Sequence, residues 1–295
     1  MVPIEEIFCE IDDFCKRFFP AFERGLLPKE EGSKRLRASR MNASEIMTIL
    51  ILFHLSHYRD FKNFYLHCVH RQLSSYFPNL LSYNRFVEIQ GRVFPAFCAF
   101  LKSKTALPTG LYFVDSTTLS VCRNQRINSH KTFVDLAQRG KSSMGWFYGF
   151  KLHLVINNRG ELMSFHLTPG NVDDRKPVPG LFKSLKGLAA GDKGYISKKL
   201  TQDLSEQGVE FITKHRKKMK PANHTSFQKW FLSKRAIVEA VIGQLKEICQ
   251  IEHSRHRKTD HFFINLLAGL AAYVLKPRKP ACSLKGLPTT FLIPN

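Results

Sequence analysis

The sequence predicts an α/β protein in which an all-helical N-terminal third precedes a mixed five-stranded sheet flanked by helices. Three observations predict it. Residues 1–105 keep helical spacing, the period changes from residue 106, and the elements then follow the order βββαβαβα. Three antiparallel strands followed by helix-linked ones describe a mixed sheet covered on its faces. The implied divisions are 1–105 (helical), 106–275 (sheet and helices) and 276–295, a Pro/Lys-rich tail expected to be loosely ordered.

Composition narrows the class. A chain of 295 residues, 43% of them hydrophobic, can bury one large core or two modest ones. The formal charge of +21, spread along the chain, predicts a polyanionic partner, with nucleic acid the commonest and an anionic membrane surface the rival. No apolar run reaches the ~20 residues of a spanning helix. Ile46–Leu55 contains Thr48 and His54, and Ile264–Leu275 contains Asn265, so both read as core helices. The opening Met-Val-Pro-Ile-Glu-Glu lacks the basic start and apolar block of a signal peptide, which implies a cytoplasmic, nucleoid-associated protein. Seven cysteines without a C-x-x-C pair read as reduced, mostly buried thiols and not as a zinc site.

In order, Ile4, Ile7, Phe8, Ile11, Phe14, Cys15 and Phe18 predict a helix ending before Pro20. A basic run, Lys34 to Arg40, leads to Asn42 and Glu45, a capping-box start for a helix through Leu55. A third helix spans Asp60–Leu73, and Ser82 caps a fourth along Phe86–Phe100. These basic, aromatic-rich helices suit either a helix-turn-helix DNA reader or a small packing domain with solvated cations. Pro108 to Gly110 is a turn, after which Leu111–Cys122 is rich in β-branched and aromatic residues and reads as a strand. Phe147–Ile156 and Glu161–Leu167 form a hairpin around Asn157 to Gly160. Asp174 is a natural cap for a helix over Lys176–Leu185, and Leu188–Asp192 is a short buried strand. Ser197 opens and Gly208 closes another helix, Glu210–Thr213 is the fifth strand, and Ser233–Lys246 is the last helix of the series.

That last helix carries the first chemical signal. At 100° per residue, Arg235, Glu239 and Lys246 fall within about 40° of one another, with no apolar member between them. Asp115 lies in a strand among Phe113, Val114 and Leu119, where an unpaired carboxylate is costly. It requires a turn cap, an Arg partner or a divalent cation. Asp192, in Gly191-Asp-Lys-Gly194, is either turn chemistry or a ligand at a strand end. Three acids from three elements, gathered in a strongly basic protein, would form a cage for two Mg²⁺ or Mn²⁺ ions acting on a polyanion. Arg235 and Lys246 would hold phosphates beside it.

These residues resemble those of bacterial insertion-sequence transposases of the DDE class, whose catalytic domain has the ribonuclease-H-like fold. The matching stretches are Val114-Asp115-Ser116-Thr117, Gly191-Asp192-Lys193-Gly194-Tyr195 and Arg235-x3-Glu239-x6-Lys246. The loop Thr168 to Asp174 is similar as well, and the likeness spans residues 106–260. Spacings of 77 residues from Asp115 to Asp192 and 47 from Asp192 to Glu239 suit a domain without a large insertion between the second and third acids. One position departs: the family signature has Tyr three residues before the Arg, and Leu232 stands there. The resemblance implies metal-dependent cleavage at terminal inverted repeats, strand transfer to target DNA, and a homodimer assembled on double-stranded DNA. A stand-alone metal-dependent nuclease and a catalytically silent DNA-binding regulator are the other readings.

Lys214-His-Arg216-Lys217-Lys218 and Arg255 with Arg257 are the candidate phosphate contacts outside that stripe, with solvated charge as the plain alternative. Trp230 either stacks on an unpaired base or fills a gap between strand and helix. Asp173 and Asp174 are helix caps or rival metal ligands, and His153 and His166 are core or sheet-face residues.

Overall fold

The computed structural model describes residues 3–25, 39–215, 219, 223–252 and 256–282. The chain forms two compact units, one of residues 1–104 with 245–277 and the other of residues 105–244 with 278–295.

The first unit is helical. α1 (Ile4–Gly25) runs through Pro20 instead of ending there. The rings of Phe14, Phe18 and Phe22 stack in succession across the proline, with centroids 5.4 and 5.1 Å apart, and α1 packs on α2 and α6. This packing outweighs the lost backbone bond. α2 (Ala43–Leu55) starts at Asn42, whose N–H donates to Glu45 Oε2 at 2.7 Å, and it is buried from Ser44 to His54. α3 (Phe61–Asn63), a π-helical turn (Phe64–Val69) and α4 (His70–Gln72) make one continuous helix, capped where the Asn63 N–H donates to Asp60. Ser82 caps α5 (Tyr83–Ile89), which passes through a 3₁₀ turn into α6 (Phe94–Ser103).

The second unit is built on six strands. β1 (Leu111–Cys122) is central, and β2 (Gln138–Ser142) forms a hairpin with the start of β3 (Gly145–Asn157). β4 (Leu162–Pro169) pairs with the remainder of β3, so β2 and β4 share one edge of that strand. β2 is the strand that the expected five lacked. β5 (Gly187–Gly191) runs parallel to β1, and β6 (Val209–Thr213) parallel to β5. Leaving β2 aside, the order β4-β3-β1-β5-β6, three antiparallel strands followed by two parallel ones, is the ribonuclease-H-like arrangement.

Helices cover both faces. α7 (Val178–Leu181) and α8 (Lys198–Glu206) pack on the face carrying Tyr112, Val114, Val155 and Met163. α7 is far shorter than the expected 176–185 helix, because Pro177, Pro179 and Gly180 interrupt it. Ser197 caps α8, and Gly208, at φ +81°, ends it as expected. On the opposite face α9 (Ser226–Ser233), not foreseen as a separate helix, and α10 (Ala236–Gly243) pack through Phe231, which stacks on Phe113 at 4.4 Å.

α10 passes at Gln244 into a π-helical turn (Gln244–Ile248). The last helix, α11 (Thr259–Leu275), is buried along most of its length among α2, α6 and the 3₁₀ turn of the first unit. It was expected within a 106–275 domain, but its apolar surface is matched by those helices. No described helix is long and apolar enough to cross a membrane. All seven cysteines are free, and only Cys15 and Cys249 are fully buried, since Cys9 and Cys98 face outward on α1 and α6.

Candidate active site

The strand register brings the first two acids together. Phe113 of β1 lies opposite Ala190 of the parallel β5, so two residues further along each strand come Asp115 and Asp192. Neighbouring strands are about 4.8 Å apart, and both carboxylates therefore emerge at one end of the parallel ladder. Side chains alternate along β1, which puts Asp115 on the same face as Phe113. That face carries α9 and α10, and the Phe113–Phe231 stack fixes where they sit. Arg235, in the short link between the two helices, is one turn beyond Phe231, and Glu239 one turn beyond Arg235.

The guanidinium of Arg235 is the point at which all three acids meet. Its Nη1 is 3.2 Å from Asp115 Oδ2, and its Nη2 is 3.6 Å from Asp192 Oδ1 and 2.6 Å from Glu239 Oε1. Depth differs among them. The Asp115 side chain is 20% exposed and that of Glu239 58%, so Asp115 forms the floor and Glu239 the rim. Burial pushes the Asp115 carboxyl above its ordinary value, and the charge of Asp192 adds to this. The Ser116 N–H, donating to Asp115 Oδ1 at 2.8 Å, and the Arg235 charge pull it down. Of the alternatives open for Asp115, the Arg partner is the one present, and Asp192 and Glu239 meet the same guanidinium.

Among the described residues no group of three or more His, Cys, Asp or Glu side chains is spaced to hold a metal ion while Arg235 stands between the carboxylates. The chemistry of the donors nevertheless suits a hard divalent cation. All are carboxylate oxygens, one deep and two open to solvent, and the buried one has need of positive charge.

Behind the floor, on the α7/α8 face, is a polar layer that the sequence did not reveal. Lys151 Nζ donates to the Val172 carbonyl at 2.9 Å and lies 3.0 Å from Asp174 Oδ1, tying the 168–174 loop to β3. Asp174 therefore pairs with Lys151 and caps no helix, while Asp173 is held by Arg175 at 2.6 Å. The buried His153 bonds Thr168 Oγ1 through Nε2 at 2.9 Å, and His166 is an exposed sheet-face residue. Tyr195, three residues after Asp192, is buried, and burial followed by the charges of Asp115 and Asp174 raises its phenol well above the usual value. The alternation of Lys151 and His153 with apolar residues was the available signal for this layer.

Lys246 belongs to the helical unit and pairs with Glu252 at 2.8 Å. The stripe that grouped it with Glu239 assumed 100° steps, and the π-helical turn beginning at Gln244 breaks that step. Lys214, after β6, and Arg257, before α11, are exposed. Arg216, Lys217, Lys218 and Arg255 lie outside the described residues. Leu232, at the signature Tyr position, is buried and serves packing. Trp230 is half-buried, stacked on Phe227 at 5.6 Å with Lys234 over its ring at 5.5 Å.

With this geometry in hand, comparison with known proteins identifies the class. Residues 105–259 match the family model described as "Transposase DDE domain", which covers more than half of the chain. The chain belongs to the DDE transposase family, and its function is DNA transposition. Solved structures similar to it include a piggyBac transposase synaptic complex with hairpin DNA, at 12% identity and a TM-score of 0.49, covering 91% of this chain and 70% of that one. A Mos1 transposase paired-end complex with the left transposon end has 12% identity, a TM-score of 0.28 and coverage of 89% and 84%. A Mos1 mariner paired-end complex with Mn has 13% identity, a TM-score of 0.23 and coverage of 89% and 85%. No curated protein matches the chain. Transposases of the DDE class use divalent metal ions, and this set of acids is where such ions would be sought.

Proposed function

We propose that the protein is an active transposase that cleaves DNA at the terminal inverted repeats of an insertion sequence and joins the freed ends to target DNA. Asp115, Asp192 and Glu239 are its catalytic acids and would hold two Mg²⁺ or Mn²⁺ ions. The observation that carries this reading is the meeting of three carboxylates, from β1, the end of β5 and α10, around one guanidinium.

Divalent ions, when bound there, supply the positive charge that activates an attacking oxygen and steadies the leaving one. The chain's own residues set the conditions. Asp115 is fixed by the Ser116 N–H and by the strand, so it presents one oxygen outward in a constant direction. Asp192, next to it across the ladder, offers a second. Glu239 at the rim can reorient as substrate arrives, because more than half of its side chain is exposed. Arg235 neutralises the three acids in the metal-free protein and, once relieved of that task, is placed to grip the phosphate beside the cut.

The helical unit and the exposed Lys214 and Arg257 provide phosphate contacts along the duplex, as does the run Arg216, Lys217, Lys218 and, beyond it, Arg255. Lys246 serves the same end from the helical unit. Holding two ends at once calls for a homodimer assembled on DNA.

The test uses DNA flanking the reading frame as the source of the ends. Wild-type protein should cleave and join them with Mg²⁺, and Asp115→Ala, Asp192→Ala and Glu239→Ala should each abolish both steps while retaining DNA binding. Near-normal activity in one variant removes that residue from the centre. Cleavage without joining would make the protein a nuclease, and binding without cleavage in the wild type a silent regulator.

A further inference from the structure

The hairpin of β2 and β3 has features that neither the sheet nor the acidic centre requires. Its turn, Ser142 to Gly145, holds Met144 with 95% of its surface exposed, and Trp146 beside it is 52% exposed. Lys141 lies directly opposite Trp146 across the hairpin, and Arg139 is two pairs further in, on the same face. Both cations sit over the indole, with the Arg139 guanidinium carbon 4.9 Å and the Lys141 Nζ 5.7 Å from the ring centroid. Among the described residues neither pairs with a carboxylate.

The hairpin is held on both of its strands. Gly140 comes so close to Gly170 that a Cβ on it would collide with the Gly170 carbonyl, and Asn124 Nδ2 donates to the Trp146 carbonyl at 2.7 Å. The tip is ordered too, since Ser142 Oγ accepts from the Met144 N–H and donates to the Gly145 carbonyl, both at 3.2 Å. A rigid ribbon thus presents an apolar tip and an aromatic platform with two cations seated on it, neither paired with a carboxylate among the described residues.

We propose that this hairpin is a DNA-contacting ribbon that enters a groove of the duplex, with Arg139 and Lys141 on the flanking phosphates and Met144 and Trp146 against the bases. A two-stranded ribbon fits the major groove, and apolar side chains entering the minor groove wedge between base steps. The cations are held ready by the indole and pass to phosphate when DNA arrives, leaving the ring free to stack. The position also suits the proposed centre, on which this inference rests for the identity of the substrate. Trp146 is eight residues along β3 from Leu154, which lies opposite Asp115. That is about 26 Å of strand, or roughly eight base-pair steps along a duplex.

The experiment uses the full chain and a fluorescein-labelled duplex of mixed sequence. Trp146 and Trp230 are the only two tryptophans, so Trp230→Phe leaves Trp146 as the sole indole reporter. Duplex should quench its emission and shield it from acrylamide. Trp146→Ala should weaken binding about tenfold and Trp146→Phe much less. Arg139→Ala with Lys141→Ala should lower the salt slope of binding by about 1.8. If wild-type protein binds no duplex, the DNA reading itself fails. If it binds, but Trp146→Ala binds equally well and Trp146 stays open to acrylamide, the hairpin proposal alone is overturned. It is overturned as well if Trp146→Ala changes only the oligomeric state measured by light scattering, since the patch then joins copies of the chain.

Discussion

Arg235 is the residue on which the electrostatics of the centre turn. It balances one largely covered carboxylate and two exposed ones, and the covered partner sets its worth, because exposed pairs such as that with Glu239 contribute little. Arg235→Ala should destabilise the protein by about 2 kcal/mol in urea unfolding, by leaving Asp115 without its counter-charge. Adding Asp115→Asn should recover most of that loss, and Mg²⁺ should stabilise the single variant more than it does the wild type. A loss that persists in the double variant would assign Arg235 to packing instead. His54 makes a second prediction at this scale. It is buried against the Cys249 carbonyl, and burial lowers its imidazole from 6.5 to about 4. In the unfolded chain the ring protonates near 6.5, so between those values the unfolded state binds more protons, and stability falls as pH falls through that window. Buried His153, also lowered to about 4, acts in the same direction. The thermal midpoint should drop from about pH 6.5 to about pH 4, and His54→Gln should flatten part of the drop. An unchanged profile would mean that His54 is not the titrating group.

At the scale of elements, the Phe113–Phe231 stack is the joint that puts Arg235 and Glu239 over the two aspartates. Phe231→Ala should cost about 3–5 kcal/mol, and Phe231→Leu much less. The alanine variant, assayed where it is still folded, should lose cleavage out of proportion to DNA binding; equal losses of both would mean that the stack only supports the fold. Much of this architecture is legible in the sequence because local signals agree with tertiary packing. β1 spans the predicted Leu111–Cys122, Asn42 and Glu45 start α2, and Ser197 and Gly208 bound α8. What escaped reading lacked such agreement. β2 is Gln-Arg-Gly-Lys-Ser, polar and without β-branched residues, and it is a strand only because β3 is long enough to pair with it. Pro177, Pro179 and Gly180 reduced a helix to four residues, while Pro20 did not stop α1, whose stacked phenylalanines carry it through. The π-helical turn at Gln244 has no period that a 100° projection can detect, which is why Lys246 was grouped with Glu239. That the three acids meet was legible from the elements that carry them. The guanidinium between them was assigned to phosphate, because nothing in the sequence says that it also serves as their counter-ion.

Across the whole molecule, a sheet unit that gathers acids coexists with a helical unit and a formal charge of +21. The positive charge suits a polyanionic partner, and the proposed function adds divalent cations at the acidic centre to bring the two together. The chain passes between its units more than once, and α11 completes the helical core although it follows the sheet in sequence. A boundary drawn at residue 105 alone therefore does not separate two self-sufficient pieces. The central claim is that Asp115, Asp192 and Glu239 together bind the divalent ions of the reaction. Anomalous diffraction from crystals of the protein on DNA with Mn²⁺ tests it most directly. The account predicts Mn²⁺ peaks within coordination distance of all three carboxylates, with Arg235 turned away from Asp115; peaks held by other residues, or Glu239 remote from every peak, would contradict it.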